Sequence, residues 1–409
     1  MDILNYSSYQ SEDDLLKIKE LSEIAQKSVL DKDMRAILIK PSKVIKNSEN
    51  LLFEDKVAQL RSIFVKHTFL NETDVTTLLF DDEENFEKFF LKSFYSSLKY
   101  SFLDIPFGGS TLGFIVPKGL TLSNEKVKRK LSSLLVKNFS DILNDQNYLK
   151  IKEDDFEKKD SIIKLIENID KPRISKKFKF LLKNPLRKKI VKEKYDALWL
   201  KSFVKYFYKK EKVRVIIDSI NLRSYNFLKE ILNDEFFVVI GIGERDYSYY
   251  SSKGIDCKDI TFIEKRETNE KCIDYVDLLK KETDIFLEFG GENNFNETMA
   301  KILNCTIYCE FEDLSTSFQS IKILNNRKVL YLPSLLLDCV DEIFDYFEVI
   351  ERKREEVMSV DEIDLRTETY INFVISYFDS FLENRQKVFE TILLRSFENY
   401  RKKFSLVYG

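Results

Sequence analysis

The segment Leu103–Pro117, LDIPFGGSTLGFIVP, is the most informative stretch of the chain. It places a proline and a glycine pair shortly before an apolar run that ends at a second proline. The preceding residues, Glu83–Ser101, have the apolar spacing of a helix, and most of the apolar side chains are aromatic. An aromatic stripe of this kind is typical of a protein core, and it comprises Phe86, Phe89, Phe90, Phe94, Tyr95 and Leu98.

From residue 213 onward, short apolar runs alternate with helical patterns. Strands are predicted at Val213–Ile217 and Phe236–Ile242, with a helix at Asn221–Leu232 between them. Three more strands are predicted at Ile285–Leu287, Thr306–Cys309 and Val329–Leu332. This alternation predicts a parallel, doubly wound sheet, and helices are predicted for about the last sixty residues.

The composition excludes several classes of protein. A length of 409 residues is sufficient for two domains that each bury a core. The net charge of -3 provides no overall attraction to nucleic acid or to anionic lipid. No apolar run approaches the roughly 20 residues that span a bilayer, and the N-terminus lacks the pattern of a signal peptide. A cytoplasmic protein is therefore expected.

Two residue types are scarce. The only histidine is His67, and the five cysteines show no CxxC spacing, so neither a metal site nor a disulfide framework is predicted. Glycine occurs only 10 times in 409 residues. Because nucleotide-binding α/β proteins use glycine where the backbone must approach phosphate, this scarcity argues against a bound dinucleotide.

The sequence resembles the glutamate, leucine, phenylalanine and valine dehydrogenases, most closely glutamate dehydrogenase. The IPFGG motif at Ile105–Gly109 is similar to the signature of their substrate domain. Asp284–Ala300 and Val329–Val349 resemble two later segments of the family, in the same order. The resemblance implies a substrate-type α/β domain over residues 1–195 and a Rossmann-like domain over 196–350. Helices over 351–409 would pack back across the cleft, and an oligomer is implied.

The resemblance also identifies the positions of the family's substrate-binding residues. Of the three lysines that hold the amino-acid substrate, only Lys99 is retained, because the other two positions are Val75 and Thr111. The proton-shuttling aspartate corresponds to Asp155. A serine near the substrate carboxylate corresponds to Asp345, whose charge would repel that carboxylate. Lys99 and Asp155 are thus the surviving candidates for catalysis.

The cofactor motif has changed more. The family's G-x-G-x-x-G corresponds to DSINLRS, which places Asp218, Ile220 and Arg223 at the three glycine positions. A negative charge and a branched side chain then stand where the backbone should approach pyrophosphate. No cofactor is expected. If NAD or NADP does bind, the candidate contacts are Ser224, Glu244 and Asn293.

Three functions remain open from the sequence. The leading hypothesis is a catalytically inactive, glutamate dehydrogenase-like protein with a structural or regulatory role in an oligomer, with itself or with an active paralogue. The second is an active NAD(P)-dependent amino-acid dehydrogenase with a rearranged site. The third is a binding protein for a cationic small molecule held by Asp338, Asp341 and Asp345. The basic segment Lys171–Lys194 is interpreted as a solvated linker and helix face. The alternatives are docking of an acidic partner subunit or a nucleic-acid patch that includes Phe178 and Phe180.

Overall fold

The computed structural model describes residues 43–53, 56–67, 74–81, 86–115, 126–127, 129–130, 133, 147–151, 191–219, 221–244, 247–256, 259, 271–290, 294–313, 315–354, 356–379 and 388–408. The chain divides into two compact units. The first comprises Met1–Lys188 and Leu393–Gly409, and the second comprises Lys189–Ile392. The predicted boundaries at residues 195 and 350, and the packing of the last helices across a cleft, stay predictions.

The first unit contains a five-stranded sheet in the order β1-β2-β4-β3-β5. The strands are β1 (Lys43–Phe53), β2 (Lys56–His67), β3 (Asp74–Asp81), β4 (Gly108–Ile115) and β5 (Asn147–Ile151). The pairs β1–β2 and β2–β4 are antiparallel, whereas β3 is parallel to both β4 and β5. Helix α1 (Phe86–Phe102) precedes β4 along the chain.

Helix α1 packs on β4 at very short distance, and the glycines of β4 make this possible. A Cβ atom on Gly109 would lie 2.6 Å from the carbonyl oxygen of Ser93. The backbone N–H of Gly109 donates to Ser97 Oγ (2.8 Å), and Ser93 Oγ donates to the Gly109 carbonyl (3.0 Å). The predicted aromatic stripe is confirmed as core at Phe89, Phe90, Phe94, Tyr95 and Leu98, which are buried, whereas the side chain of Phe86 lies outside the described ones.

The second unit contains a seven-stranded sheet in the order β12-β11-β10-β6-β7-β8-β9. Its strands are β6 (Val213–Asp218), β7 (Phe237–Glu244), β8 (Tyr247–Tyr250), β9 (Cys272–Ile273), β10 (Thr283–Glu288), β11 (Cys305–Glu310) and β12 (Leu330–Leu332). The pairs from β12 through β7 are all parallel, and β8 and β9 extend the sheet in antiparallel fashion. The predicted doubly wound α/β class is confirmed.

Nine helices are described after β5. They are α2 (Lys192–Tyr208), α3 (Leu222–Leu232), α4 (Tyr275–Leu279), α5 (Glu297–Ile302), α6 (Phe318–Asn326), α7 (Ser334–Leu337), α8 (Val340–Arg354), α9 (Val360–Asp379) and α10 (Val388–Tyr408). The buried Trp199 of α2 donates to the Leu336 carbonyl of α7 (2.6 Å). The ring of Phe378 in α9 packs edge-on against Phe203 and Phe207 of α2. In the described part of the chain, no helix combines the length and apolarity needed to cross a membrane.

Candidate functional site

The carboxyl ends of the central parallel strands are the place where doubly wound proteins bind their ligands. Three neighbouring strands, β6, β10 and β11, end in acidic residues here. Asp218 is paired with Glu288, and Glu288 is paired with Glu310, so the three residues form one row across the sheet. All three are at most 3% exposed. We call these residues the carboxyl row.

The N-terminus of α3, which follows β6, is capped by its own side chains. The side chain of Asn221 accepts a hydrogen bond from the backbone N–H of Ser224 (2.9 Å). In return, Ser224 Oγ accepts one from the backbone N–H of Asn221 (2.8 Å) and donates to the Ser219 carbonyl (2.8 Å). A helix N-terminus binds a phosphate through N–H groups of this kind. The N–H groups of Asn221 and Ser224 are already hydrogen-bonded to side chains of the same helix start. Ser224 therefore acts as a capping residue.

Arg223, at the third glycine position of the cofactor motif, is held by several acceptors. Its Nη1 donates to the Phe311 carbonyl (3.0 Å) and to Glu312 Oε1 (3.1 Å). Its Nη2 donates to Asp338 Oδ1 (2.6 Å). Only 12% of the Arg223 side chain is exposed. One arginine therefore connects the start of α3 to the segment after β11 and to the end of α7.

An aromatic cluster lies beneath this arginine. The guanidinium of Arg223 lies 6.0 Å from the ring centroid of Phe289 and 5.8 Å from that of Phe311. These two rings are stacked with centroids 4.6 Å apart, and Phe227 of α3 contacts both of them. All three phenylalanines are fully buried. Because Phe289 and Phe311 directly follow β10 and β11, this part of the strand edge is filled by side chains of the chain itself.

Arg223 belongs to a buried charge cluster, comprising Lys192, Asp196, Arg223, Glu312, Asp338 and Asp341. Lys192 Nζ lies 2.9 Å from Asp341 Oδ2 and 3.7 Å from Asp196 Oδ2. Arg223 Nη2 lies 3.8 Å from Asp196 Oδ2. Burial raises the pKa of Asp196 to about 6, although the charges of Lys192 and Arg223 oppose the shift. Burial lowers the pKa of Lys192, but the surrounding carboxylates outweigh it, and the net shift is upward.

This cluster removes much of the support for a cationic ligand. Asp338 is ion-paired with Arg223, and Asp341 is ion-paired with Lys192. The third predicted ligand residue, Asp345, is buried in α8. Two of the three proposed carboxylates therefore already have a cation from the same chain.

Glu288, in the middle of the carboxyl row, is only partly hydrogen-bonded. Its Oε1 accepts from the Gly290 N–H (2.7 Å) and from Asn294 Nδ2 (3.2 Å). Its Oε2 has no hydrogen-bond partner among the described residues. Burial raises the pKa of Glu288 well above its usual range, and the charge of Asp218 raises it further.

Glu310, the next member of the row, has four hydrogen-bond donors. Its Oε1 accepts from Ser315 Oγ (3.2 Å) and from the Thr316 N–H (3.0 Å). Its Oε2 accepts from the hydroxyl of Tyr331 (2.6 Å) and from the Ser334 N–H (3.2 Å). Glu310 thus fixes the loops after β11 and β12, which is a structural task.

The residues of this edge do not fit a dinucleotide. Asp218 ends β6 where the first phosphate-binding glycine would stand, and Tyr275 donates to its Oδ2 (2.9 Å). The charge of Asp218 repels a pyrophosphate, and the N–H groups of Asn221 and Ser224 are used in capping. Metal-binding chemistry is not indicated, since the described residues contain no cluster of three or more His, Cys, Asp or Glu suited to an ion.

The remaining candidates lie in different places. Lys99 is in the last turn of α1 and is 1% exposed. Val75 is in β3, opposite Gly109 of β4, and Thr111 is in β4. Thr111 Oγ1 is buried, with no hydrogen-bond partner in the described part of the chain. The three lysine positions of the family therefore fall on one helix and two adjacent strands of the first unit.

Some predicted residues cannot be assigned a role from the geometry. Asp155 and Asn293 lie outside the described residues. Glu244 is the last residue of β7, opposite Tyr247, and its side chain is not among those described. Their catalytic and cofactor roles stay predictions. Of the basic segment, only residues 191–194 are described, and both of its lysines there form ion pairs.

The carboxyl row and the buried charge cluster are not predicted from the sequence. The row had a signal in the sequence, because each of three predicted strands is followed at once by an acidic residue, namely Asp218, Glu288 and Glu310. The cluster had none, because Arg223 and Asp338 are 115 positions apart. Only the folded chain brings these two residues together.

Comparisons with known proteins agree with the resemblance found in the sequence. The catabolic NAD-specific glutamate dehydrogenase RocG of Bacillus subtilis (strain 168) is 26% identical over 162 residues, which is 38% of each chain. A hetero-hexameric glutamate dehydrogenase from Thermus thermophilus superposes with a TM-score of 0.77 at 16% identity, over 98% of this chain and 99% of that one. Glutamate dehydrogenase from Peptoniphilus asaccharolyticus superposes with a TM-score of 0.72 at 16% identity, over 97% and 99%. No family model matches the chain.

These similarities establish the fold more firmly than the activity. Structures that align over nearly the whole chain show that it has the glutamate dehydrogenase fold. The sequence similarity supports a relationship to that family, but the matched segment spans less than two fifths of the length of the curated relative.

Proposed function

We propose that this chain is a non-catalytic, glutamate dehydrogenase-like protein that serves as a structural or regulatory subunit of an oligomer. The observation that carries the proposal is the self-capped N-terminus of α3, where Asn221 and Ser224 satisfy each other's N–H groups. Catalysis of hydride transfer requires a bound nicotinamide cofactor. A strand edge whose phosphate-binding positions are used by the chain itself does not provide that binding.

Electrostatics support the same proposal. The carboxyl row places acidic side chains at the ends of three adjacent strands, and the buried charge cluster contains four carboxyl groups against two cations. An added pyrophosphate would have to displace internal ion pairs and approach buried carboxylates. Breaking a buried ion pair of this kind costs about 3–5 kcal/mol.

The proposed role in an oligomer is supported by one structural relative, and the cytoplasm is part of the proposal as its location. The glutamate dehydrogenase from Thermus thermophilus is described as hetero-hexameric, so this fold assembles from non-identical chains in at least one protein. A subunit that keeps the fold without the cofactor contacts would suit such an assembly. The partner would be an active dehydrogenase paralogue or a second copy of this chain.

Titration with cofactor tests the central claim. Purified full-length protein is melted, and titrated calorimetrically, with NAD, NADH, NADP and NADPH, beside a glutamate dehydrogenase of known activity as the positive control. A ligand at 100 times its dissociation constant stabilises the folded state by about 2.7 kcal/mol. We expect no shift for this chain and a clear one for the control. A saturable shift with any of the four would refute the proposal.

A second candidate, an active dehydrogenase with a rearranged site, is favoured by the burial of Lys99. An ammonium group that is 1% exposed is costly to bury, and in the family that the chain resembles the lysine at this position holds the substrate. The test is turnover of glutamate and of branched or aromatic amino acids with NAD or NADP. Turnover that is abolished in Lys99→Met, with unchanged melting temperature, would favour this candidate over the leading one.

A further inference from the structure

Large apolar side chains that face solvent are concentrated in one part of the second unit. Six exposed ones occur among the described residues, namely Val191, Val276, Val357, Val360, Leu365 and Phe373. Four of the six lie between positions 357 and 373, at the start of α9 and on its outer face. Single exposed apolar residues are ordinary, whereas a group of them marks an interaction site.

A fifth exposed apolar residue, Val191, directly precedes α2. In the first turn of that helix, the hydroxyl of Tyr195 donates to Asp364 Oδ1 of α9 (2.6 Å), and Lys194 Nζ lies 3.5 Å from the same oxygen. Four of the six exposed apolar side chains thus belong to α9 or to the residues just before it, whereas Val191 and Val276 lie on other segments.

The outer face of α9 is distinct from the face that packs on the protein core. Buried residues of this helix recur at helical spacing and comprise Ile363, Thr367, Ile371, Val374 and Phe378. Leu365 and Phe373 are eight positions apart, on the other side of the helix, and are 65% and 37% exposed. The Phe373 ring packs against Tyr377 with centroids 4.8 Å apart. The core therefore does not require the two exposed residues.

Acidic side chains border this apolar stripe. Asp361 and Glu368 are exposed on one flank, and neither forms an ion pair with another described residue. Glu362 of the same helix is paired with two cations, those of Arg366 (2.9 Å) and Arg354 (3.2 Å). The negative charge of the face is therefore confined to the flank of Asp361 and Glu368, where it favours basic side chains of a partner.

We propose that the α9 face, defined by Asp361, Leu365, Glu368 and Phe373, is the docking surface for a basic amphipathic segment of a partner protein. Apolar side chains of the segment would cover Leu365 and Phe373, while its lysines or arginines would face Asp361 and Glu368. The inference deepens the proposed subunit role and rests on it for the existence of a partner. The inference does not depend on the carboxyl row or on any other residue at the carboxyl ends of the strands.

Site-specific photo-crosslinking identifies the occupant. A benzophenone-bearing amino acid is placed at position 365 of the full-length chain in the cells that naturally make it, and at position 276 as the matched exposed control. We expect position 365, and not position 276, to crosslink to one protein segment that is apolar and rich in Lys and Arg. A lipid adduct, an acidic segment, a second copy of this chain or no adduct at position 365 overturns the proposal.

Affinity measurements on the crosslinked partner then test each part of the surface. We expect Leu365→Ser to weaken binding about tenfold or more, while Val276→Ser changes it less than twofold. Glu368→Lys is expected to weaken binding by a similar factor and to reduce its salt dependence, and Glu235→Lys, at an exposed acid elsewhere, serves as its control. Unchanged melting temperatures show that each variant is folded.

The failures of the two proposals can be told apart. If Leu365→Ser and Glu368→Lys bind the partner as well as the unaltered chain does, the surface is wrong while the subunit role stands. If the chain is monomeric by native mass spectrometry of the cell extract, the subunit role is wrong, and the surface fails with it. Equal crosslinking from positions 365 and 276 also overturns the surface.

Discussion

Strand β4 of the first unit contains glycines, whereas the loop after β6 of the second unit contains none. In β4, the space beside Gly109 is occupied by the backbone of α1, at distances of 2.6–2.8 Å from a hypothetical Cβ atom. In the loop, the glycine positions hold Asp218, Ile220 and Arg223, two of which contact other parts of the same chain. Glycine is present in β4, where the helix α1 needs the space. It is absent from the loop after β6, where a bound phosphate would need the space.

This difference indicates which constraint acts on each segment. The IPFGG signature stays intact because α1 cannot approach β4 otherwise, which is a requirement of folding. The phosphate-binding loop has no such requirement, since a helix N-terminus can be satisfied by capping residues instead of an anion. The folded chain thus requires glycine at Gly109 and does not require it in the loop after β6.

The largest effect is expected from restoring the third glycine. Arg223→Gly leaves Glu312 and Asp338 buried without their cation, and we expect it to lower the free energy of unfolding by about 3–5 kcal/mol. Chemical denaturation measures this, with Lys201→Gly as the control for removing a partly exposed ion-paired cation from a helix. Gain of NAD binding with little loss of stability would contradict the internal role that we assign to Arg223.

The next effect concerns the retained glycine. Gly109→Ala places a methyl group against the backbone of α1, and we expect a loss of about 3 kcal/mol. The matched variant is Gly243→Ala, because a Cβ atom there meets only movable side chains, those of Leu278, Asp218 and Tyr275. Its cost should be smaller. Thermal melts of both variants test the order, and an equal or greater cost at Gly243 would remove the contrast between the two units.

The sequence predicts the architecture better than the site, for a physical reason. The predicted strands at Val213–Ile217 and Ile285–Leu287 correspond to β6 and β10, because apolar runs between turns are a local signal. The partner of Arg223 is not a local property, since ion pairing with Asp338 depends on where α7 ends in space. The absence of glycines from this loop can be seen in the sequence. The ion pairs that Arg223 forms in their place cannot.

Within the carboxyl row, Glu310 should be the less tolerant of its two glutamates. All four hydrogen bonds to its side chain come from donors, so the amide nitrogen in Glu310→Gln would face a donor at either position. We expect a loss of about 2 kcal/mol in the free energy of unfolding. Urea denaturation at pH 7 measures it. A neutral outcome would mean that Glu310 does not hold the loops after β11 and β12.

Glu288→Gln should change the free energy of unfolding least of these variants near pH 5. At higher pH it should raise the free energy of unfolding. Burial and the charge of Asp218 raise the folded-state pKa of Glu288 above its unfolded value. The stability that this group contributes is therefore complete below the unfolded pKa, about 4.3, and is lost as the pH rises toward the folded-state pKa. Glutamine keeps the acceptor for the Gly290 N–H and carries no charge, so the variant does not lose stability as the pH rises.

Melting temperatures from pH 5 to pH 8 test this prediction. The melting temperature of the variant should rise steadily relative to that of the unaltered chain. A constant difference across this range would show that Glu288 stays ionised in the fold, and that the strand edge tolerates adjacent negative charges.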